Sequence, residues 1–439
     1  MKIIKNNSGM IFILMLVATS VVLWFLAPGT GFDFGNFESV LVSLSQLLGI
    51  TGFMLFAINI ILSGRFKFLE NIFIGLNKVY EHHAQIGKVA FYLLLIHPLI
   101  FLGLFLKYSG LTFTNFISFF TPSIEKGPVS FGILALFVMI VLIPLTIYFR
   151  PKYHIWKVLH KFMGLAFFLG ALHAFYMPST VSTFPPLKYY ISVIFAISMS
   201  VYIYRSVLGV YLIKKHRYIV SGVRVLDTIT EVTLMPKNLN AGKEINFTPG
   251  QFAFVSFQDK NIGRESHPFS ISSAPESGVV TFSIKNLGDF TERMKNIAIG
   301  SEAKIEGPFG KFSYQEGEFK KQIWIAGGIG ITPFLSMAKS IRTDSEYSVD
   351  LYYCVKDEKE AVYLKELLEL KNPKLNIIPH FSNTEGFINA DIIKDKSGSM
   401  FDKAIFICSP PVMIHSLKKQ FIKQGILSKY IYSEEFNLA

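Results

Sequence analysis

HKFMGLAFFLGALH, residues His160–His173, places an imidazole at each end of an apolar run with helical character. A related stretch, HAQIGKVAFYLLLIH, occupies His83–His97. In both stretches a glycine follows the first histidine by four residues, at Gly87 and Gly164. Histidines in strongly apolar helices are costly and tend to be functional, so this repeat is the first pointer to fold and chemistry.

The composition divides the chain into an apolar half and a soluble half. Its 439 residues are 51% hydrophobic, and the mean hydropathy is +0.41. Charge-poor runs fill residues 10–213, whereas the remainder alternates as in a soluble α/β protein. A helix needs about 20 apolar residues to cross the hydrocarbon core. The predicted spans are residues 9–28, 40–63, 86–107, 129–149, 155–177 and 188–212.

The net charge of +12 is concentrated in loops on one side of these spans. The positive-inside rule therefore predicts that both termini and the soluble half are cytoplasmic. The first span is expected to be a retained helix, because its apolar run ends without a clear signal-peptide cleavage site. A nucleic-acid partner is not expected, since the basic residues do not cluster on a soluble face. Cys354 and Cys408 both fall in the cytoplasmic half, where a disulfide framework is not expected.

Helical spacing places the four histidines at two levels. Separations of 14 and 13 residues correspond to rises of about 21 and 20 Å. The third and fifth spans run in the same direction, so His83 and His160 share an inner level and His97 and His173 an outer one. Two imidazoles at each level predict two six-coordinate haems, each with one ligand from each helix. Gly87 and Gly164 are expected to let a macrocycle approach the backbone.

The spacing leaves alternatives open. Thirteen residues separate His160 and His173 by about 140° around a regular helix. Either the fifth span is distorted, or its two ligands approach their haems from different sides. Interhelical hydrogen bonding explains a single histidine better than a repeated array. A zinc site needs ligands that converge on one point.

Strand patterns follow from residue 215. Alternating apolar runs separated by glycine, proline and asparagine predict a small antiparallel β-barrel over residues 215–318. It contains HPFSISSAP at His267–Pro275 and IKNLGDFTERM at Ile284–Met294, whose turn has amides that could bind a diphosphate. The string KQIWIAGGIGITPFLSMAKSI then predicts half of a dinucleotide-binding unit, and CSPP closes a later strand. Residues 319–439 are therefore predicted to form a doubly wound parallel sheet.

Together these strings resemble the NADPH oxidase/ferric reductase superfamily. The resemblance implies a membrane all-α six-helix di-haem domain at 1–214, a β-barrel FAD domain at 215–318 and an α/β NAD(P)H domain at 319–439. The implied ligands of two b-type haems are His83, His97, His160 and His173. The implied FAD residues are His267, Pro268, Phe269, Ser270, Gly288, Asp289, Phe290 and Thr291. The implied NAD(P)H residues are Gly327, Gly328, Gly330, Thr332, Pro333, Ser409 and Pro410. Cys408 and Phe436 are implied at the nicotinamide–flavin contact.

The resemblance implies electron flow from cytoplasmic NADPH or NADH through FAD and both haems to an acceptor outside. Oxygen, giving superoxide, is the first expectation, and ferric or cupric chelates are the alternative. Animal oxidases carry a second histidine where this chain has Phe101. They also carry an arginine near the position of Gln46, where this chain has none. Both acceptors therefore stay open. A six-helix transporter with a regulatory nucleotide module would leave the paired histidines unexplained. The expected partners are membrane lipid and a small acceptor, with no obligatory protein partner.

Overall fold

The computed structural model describes residues 8–149, 153–237 and 245–435. The chain divides into two compact units, Met1–Ile213 and Lys214–Ala439. The first unit is helical, and the second is built on two β-sheets.

Six helical segments of the described residues are long and apolar enough to cross a membrane, as predicted. They are α1 (Ser8–Phe25), α2 (Phe37–Leu62), α4 (Leu76–Ser109), α6 (Pro128–Pro144) with a π-helical turn at Leu145–Phe149, α7 (Tyr153–Lys161) continued by α8 (Met163–Tyr176), and α10 (Pro185–Tyr202). Shorter helices are α3 (Lys67–Phe73), α5 (Phe113–Phe120), α9 (Thr180–Thr183) and α11 (Gly209–Leu212). The apolar length of each run accounts for these spans.

Local sequence sets several helix ends. Asn36 caps α2, because its side-chain oxygen accepts the amides of Glu38 at 3.0 Å and Ser39 at 3.2 Å. Pro128 begins α6, a position where its missing amide hydrogen costs nothing. The fifth span is interrupted at Phe162, between α7 and α8. Of the two alternatives left by the 13-residue spacing, the structure therefore shows the distorted helix.

The second unit begins with an antiparallel sheet in the order β4-β3-β6-β1-β2-β5. Its strands are β1 (His216–Leu226), β2 (Ile229–Pro236), β3 (Phe252–Gln258), β4 (His267–Ser270), β5 (Val280–Lys285) and β6 (Glu302–Phe309), with helix α12 (Asp289–Arg293) before β6. The edge strands approach each other at an isolated bridge between Ile271 and Phe282. This contact does not extend into a ladder in the described part of the chain, so the sheet is confirmed and a closed barrel is not shown.

A parallel sheet follows in the order β11-β10-β7-β8-β9, which confirms the predicted doubly wound topology. Its elements are β7 (Lys321–Gly327), α13 (Ile331–Ser340), β8 (Ser348–Val355), α14 (Leu364–Glu369), β9 (Leu375–Phe381), α15 (Ser382–Glu385), α16 (Ala390–Ser397), β10 (Ala404–Cys408), α17 (Pro411–Lys423) and β11 (Ile431–Glu434). Successive β7 residues face opposite sides: Trp324 packs in one buried cluster, and Ile323 and Ile325 pack in the other. Helices covering both faces explain why the strands are continuously apolar.

Candidate functional site

The structure brings the four membrane histidines together as two pairs. The ring centroids of His83 and His160 are 6.1 Å apart, and those of His97 and His173 are 6.4 Å apart. Two imidazoles bound to opposite sides of one metal at about 2 Å each would have ring centres about 6 Å apart. Within the described residues, no group of three or more histidine, cysteine, aspartate or glutamate side chains could hold a metal ion. The four histidines are therefore arranged as two separate pairs, each with a ring separation close to that distance.

Backbone carbonyls fix the orientation of three of these rings. The Nδ1 atoms lie 2.9 Å from the Asn59 carbonyl for His83, 2.8 Å from the Ser45 carbonyl for His97, and 3.1 Å from the Pro128 carbonyl for His173. A carbonyl only accepts hydrogen bonds, so Nδ1 carries the hydrogen and Nε2 keeps its lone pair. A neutral imidazole held in this way is the form that ligates a metal.

Helix α2 supplies two of these carbonyls, and motif analysis missed it. Ser45 and Asn59 are 14 residues apart, as are His83 and His97 on α4. Because the two helices pack antiparallel, each carbonyl meets its own histidine. The Ser45 hydroxyl also donates to the His97 carbonyl at 2.8 Å and lies 2.9 Å from its Nδ1. The shared 14-residue spacing was the one sequence signal for this scaffold.

Glycines make room for the two outer rings. A Cβ on Gly49 would lie 3.0 Å from His97 Nδ1, and one on Gly132 would lie 2.9 Å from His173 Nδ1. These contacts are tighter than an ordinary van der Waals contact, so any larger residue would displace the imidazole. Sequence analysis did not single out either glycine.

The glycines that follow the inner histidines have another role. A Cβ on Gly87 would lie 2.8 Å from Asn59 Nδ2, and one on Gly164 would overlap the ring of Tyr202. The expectation that these glycines admit a macrocycle is therefore wrong, and close packing between helices explains them. Asn59 Oδ1, beside Gly87, is buried and has no hydrogen-bond partner among the described residues.

The two strings assigned to FAD pack against each other. The rings of His267 and Phe290 are 4.1 Å apart, and those of Phe269 and Phe290 are nearly parallel at 6.5 Å. Glu265 Oε2 lies 3.0 Å from His267 Nε2. Pro268 pairs with β3 from strand β4, so this segment is anchored in the sheet. The protein thus brings together residues from β4 and α12.

The polar atoms of these two segments differ in whether they already have hydrogen-bond partners. The Ser270 hydroxyl is buried and has no hydrogen-bond partner among the described residues, which fits a bound polar ligand such as a flavin. Thr291 instead accepts the amides of Leu287 at 2.9 Å and Gly288 at 3.0 Å. The expectation of free amides is therefore wrong for these two, which Thr291 already satisfies. Asp289 is exposed at the start of α12.

The three glycines of the nucleotide loop, Gly327, Gly328 and Gly330, have different surroundings. Gly328 has φ +55°, and a Cβ there would meet nothing within 4 Å. A Cβ on Gly330 would overlap the Cys408 carbonyl, and one on Gly327 would lie 2.6 Å from Ser409 Cβ. Of the three glycines, Gly328 is the one with open space beside it. Gly327 and Gly330 instead permit close packing against the end of β10.

Other loop residues have structural contacts. The buried Thr332 hydroxyl donates to the Ile329 carbonyl at 3.0 Å, so it stabilises the turn. Pro333 is buried in the first turn of α13, and Pro410 immediately precedes α17. These positions shape the loop without directing a polar side-chain atom at a ligand.

Cys408 is fully buried at the carboxyl end of β10, opposite Glu434 on β11. Burial raises the pKa of the Cys408 thiol well above its ordinary value, and the negative charge of Glu434 raises it further. The thiol is therefore neutral and unsuited to act as a thiolate nucleophile. Glu434, only 4% exposed, is a residue that sequence analysis missed. Phe436 lies outside the described residues.

A small pocket adjoins Gly328 at the carboxyl ends of β7 and β8. It is lined by Asp227, Thr228, Ile229, Lys285, Gly328, Ile329, Tyr353, Glu360 and Val362. Ligands of open α/β sheets bind outside the carboxyl ends of the strands, so this is the candidate nucleotide pocket.

Comparison with known families defines the class. Residues 48–171 match the ferric reductase like transmembrane component, residues 223–327 an FAD-binding domain, and residues 324–419 an oxidoreductase NAD-binding domain. In this order they form the architecture of the NADPH oxidase/ferric reductase superfamily. The chain therefore combines a ferric-reductase-like transmembrane component with an FAD-binding and an NAD-binding domain, in that order.

Two curated relatives match half of the chain or less, and one solved structure aligns with most of it. The chain is 28% identical over 233 residues to the anthranilate 1,2-dioxygenase electron transfer component of Acinetobacter baylyi, covering 50% of this chain and 66% of that one. It is 27% identical over 196 residues to NADH-cytochrome b5 reductase 1 of Mortierella alpina, covering 42% and 63%. The chain thus spans less than two thirds of the length of either relative. Flavohemoglobin from Malassezia yamatoensis aligns with a TM-score of 0.52 at 14% identity, covering 91% of this chain and 97% of that one, which shows a likeness of fold alone.

Proposed function

We propose that the protein moves electrons from NAD(P)H through FAD and two b-type haems to an acceptor on the opposite side of the membrane. The observation that carries this is the two histidine pairs with nearly equal ring separations, in a chain that also contains a flavin and nucleotide module. When bound, the cofactors supply the hydride and single-electron chemistry, and the chain supplies binding and orientation.

In the first unit, we assign His83 and His160 to the inner haem and His97 and His173 to the outer haem. The carbonyls that accept from Nδ1 hold the neutral rings with Nε2 available to iron. Such a second layer of hydrogen bonds makes a ligand more basic and fixes its plane. The basic loops favour an inner level on the cytoplasmic side, together with the N-terminus and the second unit.

In the second unit, Gly328 receives the nucleotide pyrophosphate, because its φ of +55° and open surroundings admit a backbone-to-phosphate approach. The buried Ser270 hydroxyl is assigned a hydrogen bond to the flavin. Cys408, as a neutral thiol, packs where the nicotinamide meets the flavin and forms no covalent bond with either.

Oxygen, giving superoxide, is the first acceptor that we propose. Ferric or cupric chelates are the second, and one contact favours them. The ring of Phe101 lies edge-on to His97 at 5.5 Å, so an apolar group covers the outer histidine where an oxygen site would profit from a hydrogen-bond donor. An acceptor that takes electrons without entering the protein needs no such donor.

The purified protein with its cofactors tests the proposal. Two haems per chain, and their reduction by NAD(P)H under nitrogen, are the expected results. Superoxide formation in air is then compared with ferric-chelate reduction in nitrogen. A preparation without b-type absorption bands after dithionite would contradict the haem assignment and favour a transporter with a regulatory nucleotide module.

A further inference from the structure

The pocket beside Gly328 is lined by more acidic than basic side chains. Strand β7 ends at Gly327 and β8 ends at Val355, so the pocket lies where two neighbouring strands of the parallel sheet terminate. In such sheets the pyrophosphate meets the glycine loop, and the adenosine ribose lies beyond the end of the second strand. Glu360 lines this part of the wall, five residues after β8 ends.

The carboxylate of Glu360 is suited to a ribose hydroxyl. A carboxylate accepts the hydrogen bonds of a 2′-hydroxyl, whereas a 2′-phosphate places like charges together in the same pocket. Asp227 adds a second negative charge to the lining, and Lys285 is the single positive charge among the lining residues. The pocket thus carries a net charge of −1 from its side chains, counted as one lysine against two carboxylates.

Lys356 follows β8 directly and does not line the pocket, but it is a second cation that could meet a phosphate. Lys356 Nζ lies 3.7 Å from Glu360 Oε1, and the Lys356 amide donates to Glu360 Oε2 at 3.5 Å. Asp357 is occupied in the same turn, where its Oδ1 accepts the amides of Lys359 and Glu360 at 3.1 and 3.2 Å. Its carboxylate therefore holds the turn that presents Glu360.

We propose that the protein uses NADH in preference to NADPH and that Glu360 is the residue that sets this preference. The inference rests on the proposed function, because it requires that the pocket beside Gly328 binds a nicotinamide nucleotide. Glu360 acts in two ways: it accepts from the adenosine ribose, and it neutralises Lys356, which would otherwise attract a 2′-phosphate.

Anaerobic reduction of FAD in the detergent-purified protein with its cofactors measures the preference. We expect kcat/KM for NADH to exceed that for NADPH by about tenfold or more. Glu360→Gln keeps an oxygen acceptor but removes the charge and releases Lys356, so NADPH use should rise and the ratio should fall by about tenfold. In the double variant Glu360→Gln/Lys356→Met, the increase in kcat/KM for NADPH should be lost. The control is Glu358→Gln, an exposed carboxylate of the same turn that does not line the pocket.

The outcomes separate this inference from the proposed function. Equal use of both nucleotides, or a preference for NADPH, in the unmodified protein would overturn the role of Glu360 while leaving the electron pathway intact. An unchanged ratio in Glu360→Gln, or an equal shift in Glu358→Gln, would overturn it as well. If neither nucleotide reduces FAD but dithionite reduces the protein, the nucleotide site itself is wrong. FAD content and the thermal midpoint establish that each variant is folded.

Discussion

Gly328 and Gly330 are two residues apart, yet the structure predicts that alanine at each position has a different consequence. A Cβ on Gly330 would overlap the Cys408 carbonyl and lie 2.6 Å from its carbonyl carbon. Both backbones must shift, and overpacking of this kind costs about 1–3 kcal/mol. In Gly328→Ala the new Cβ meets no protein atom, and the cost is the positive φ of +55°, about 1–2 kcal/mol for a left-handed residue.

Both variants therefore have to be assayed for thermal stability and for nucleotide binding. For a unit of this size, about 1 kcal/mol shifts the thermal midpoint by about 2–4 °C, so both variants should melt slightly lower. Gly328→Ala should retain FAD and dithionite reduction of the haems but bind NADH at least about tenfold more weakly, because its methyl group occupies the approach of the pyrophosphate. Gly330→Ala should be destabilised and displace Cys408, so that hydride transfer slows more than nucleotide binding weakens.

Two results would refute this reasoning. Unchanged NADH affinity in Gly328→Ala would mean that the open side of this glycine does not face the nucleotide. An unaltered thermal midpoint in Gly330→Ala would mean that the loop does not pack on the end of β10 as described. Dithionite, which bypasses the nucleotide, serves as the control for intact haem sites in both variants.

Three further outcomes are expected. His97→Leu should lower the haem content from two per chain toward one with the inner haem spectrum retained, and an undiminished content would contradict the ligand assignment. Ser45→Ala removes an oxygen 2.9 Å from His97 Nδ1, so the outer haem should have a higher reduction potential in a redox titration, whereas Ser43→Ala, whose hydroxyl donates to the Gly31 carbonyl, should leave it unchanged. Burial raises the pKa of Cys354 to about 12, so the folded protein keeps a proton that the unfolded chain loses above about pH 8.5. The free energy of unfolding should therefore fall by about 1.4 kcal/mol per pH unit above pH 8.5 for this thiol. Urea unfolding of the second unit in Cys354→Ala should show a weaker dependence, and an identical slope would contradict it.

The sequence predicted those features that depend on local pattern. Six spans follow from the length of apolar runs, and the parallel sheet follows from the alternation of buried strands and amphipathic helices. The two levels of histidine follow from helical rise alone. The break at Phe162 could not be predicted in this way, because a separation of 13 residues from His160 to His173 is compatible with either a distorted helix or ligands on different sides.

Other features depend on atoms that have no residue-type signal. The Ser45 and Asn59 groups that accept from the histidines are backbone carbonyls, which every residue has, so no motif identifies them. The function of a glycine depends on what lies opposite its missing side chain. Gly330 faces the carbonyl of Cys408, which ends a strand far away in the sequence, and only the folded chain brings the two residues together.

The turn after β8 shows what the sequence leaves undecided about nucleotide preference. A lysine directly after the second strand of a dinucleotide fold is expected to bind a 2′-phosphate. Acidic residues follow this lysine, and the sequence alone does not indicate which of their carboxylates would meet the nucleotide. The structure distinguishes them by position: Asp357 caps the turn, Glu358 is exposed, and Glu360 lines the pocket. Three carboxylates that are nearly adjacent in the chain thus have three different environments. Of these three carboxylates, the one at Glu360 lines the pocket and pairs with Lys356, so matched substitutions at Glu358 and Glu360 test the proposed nucleotide preference.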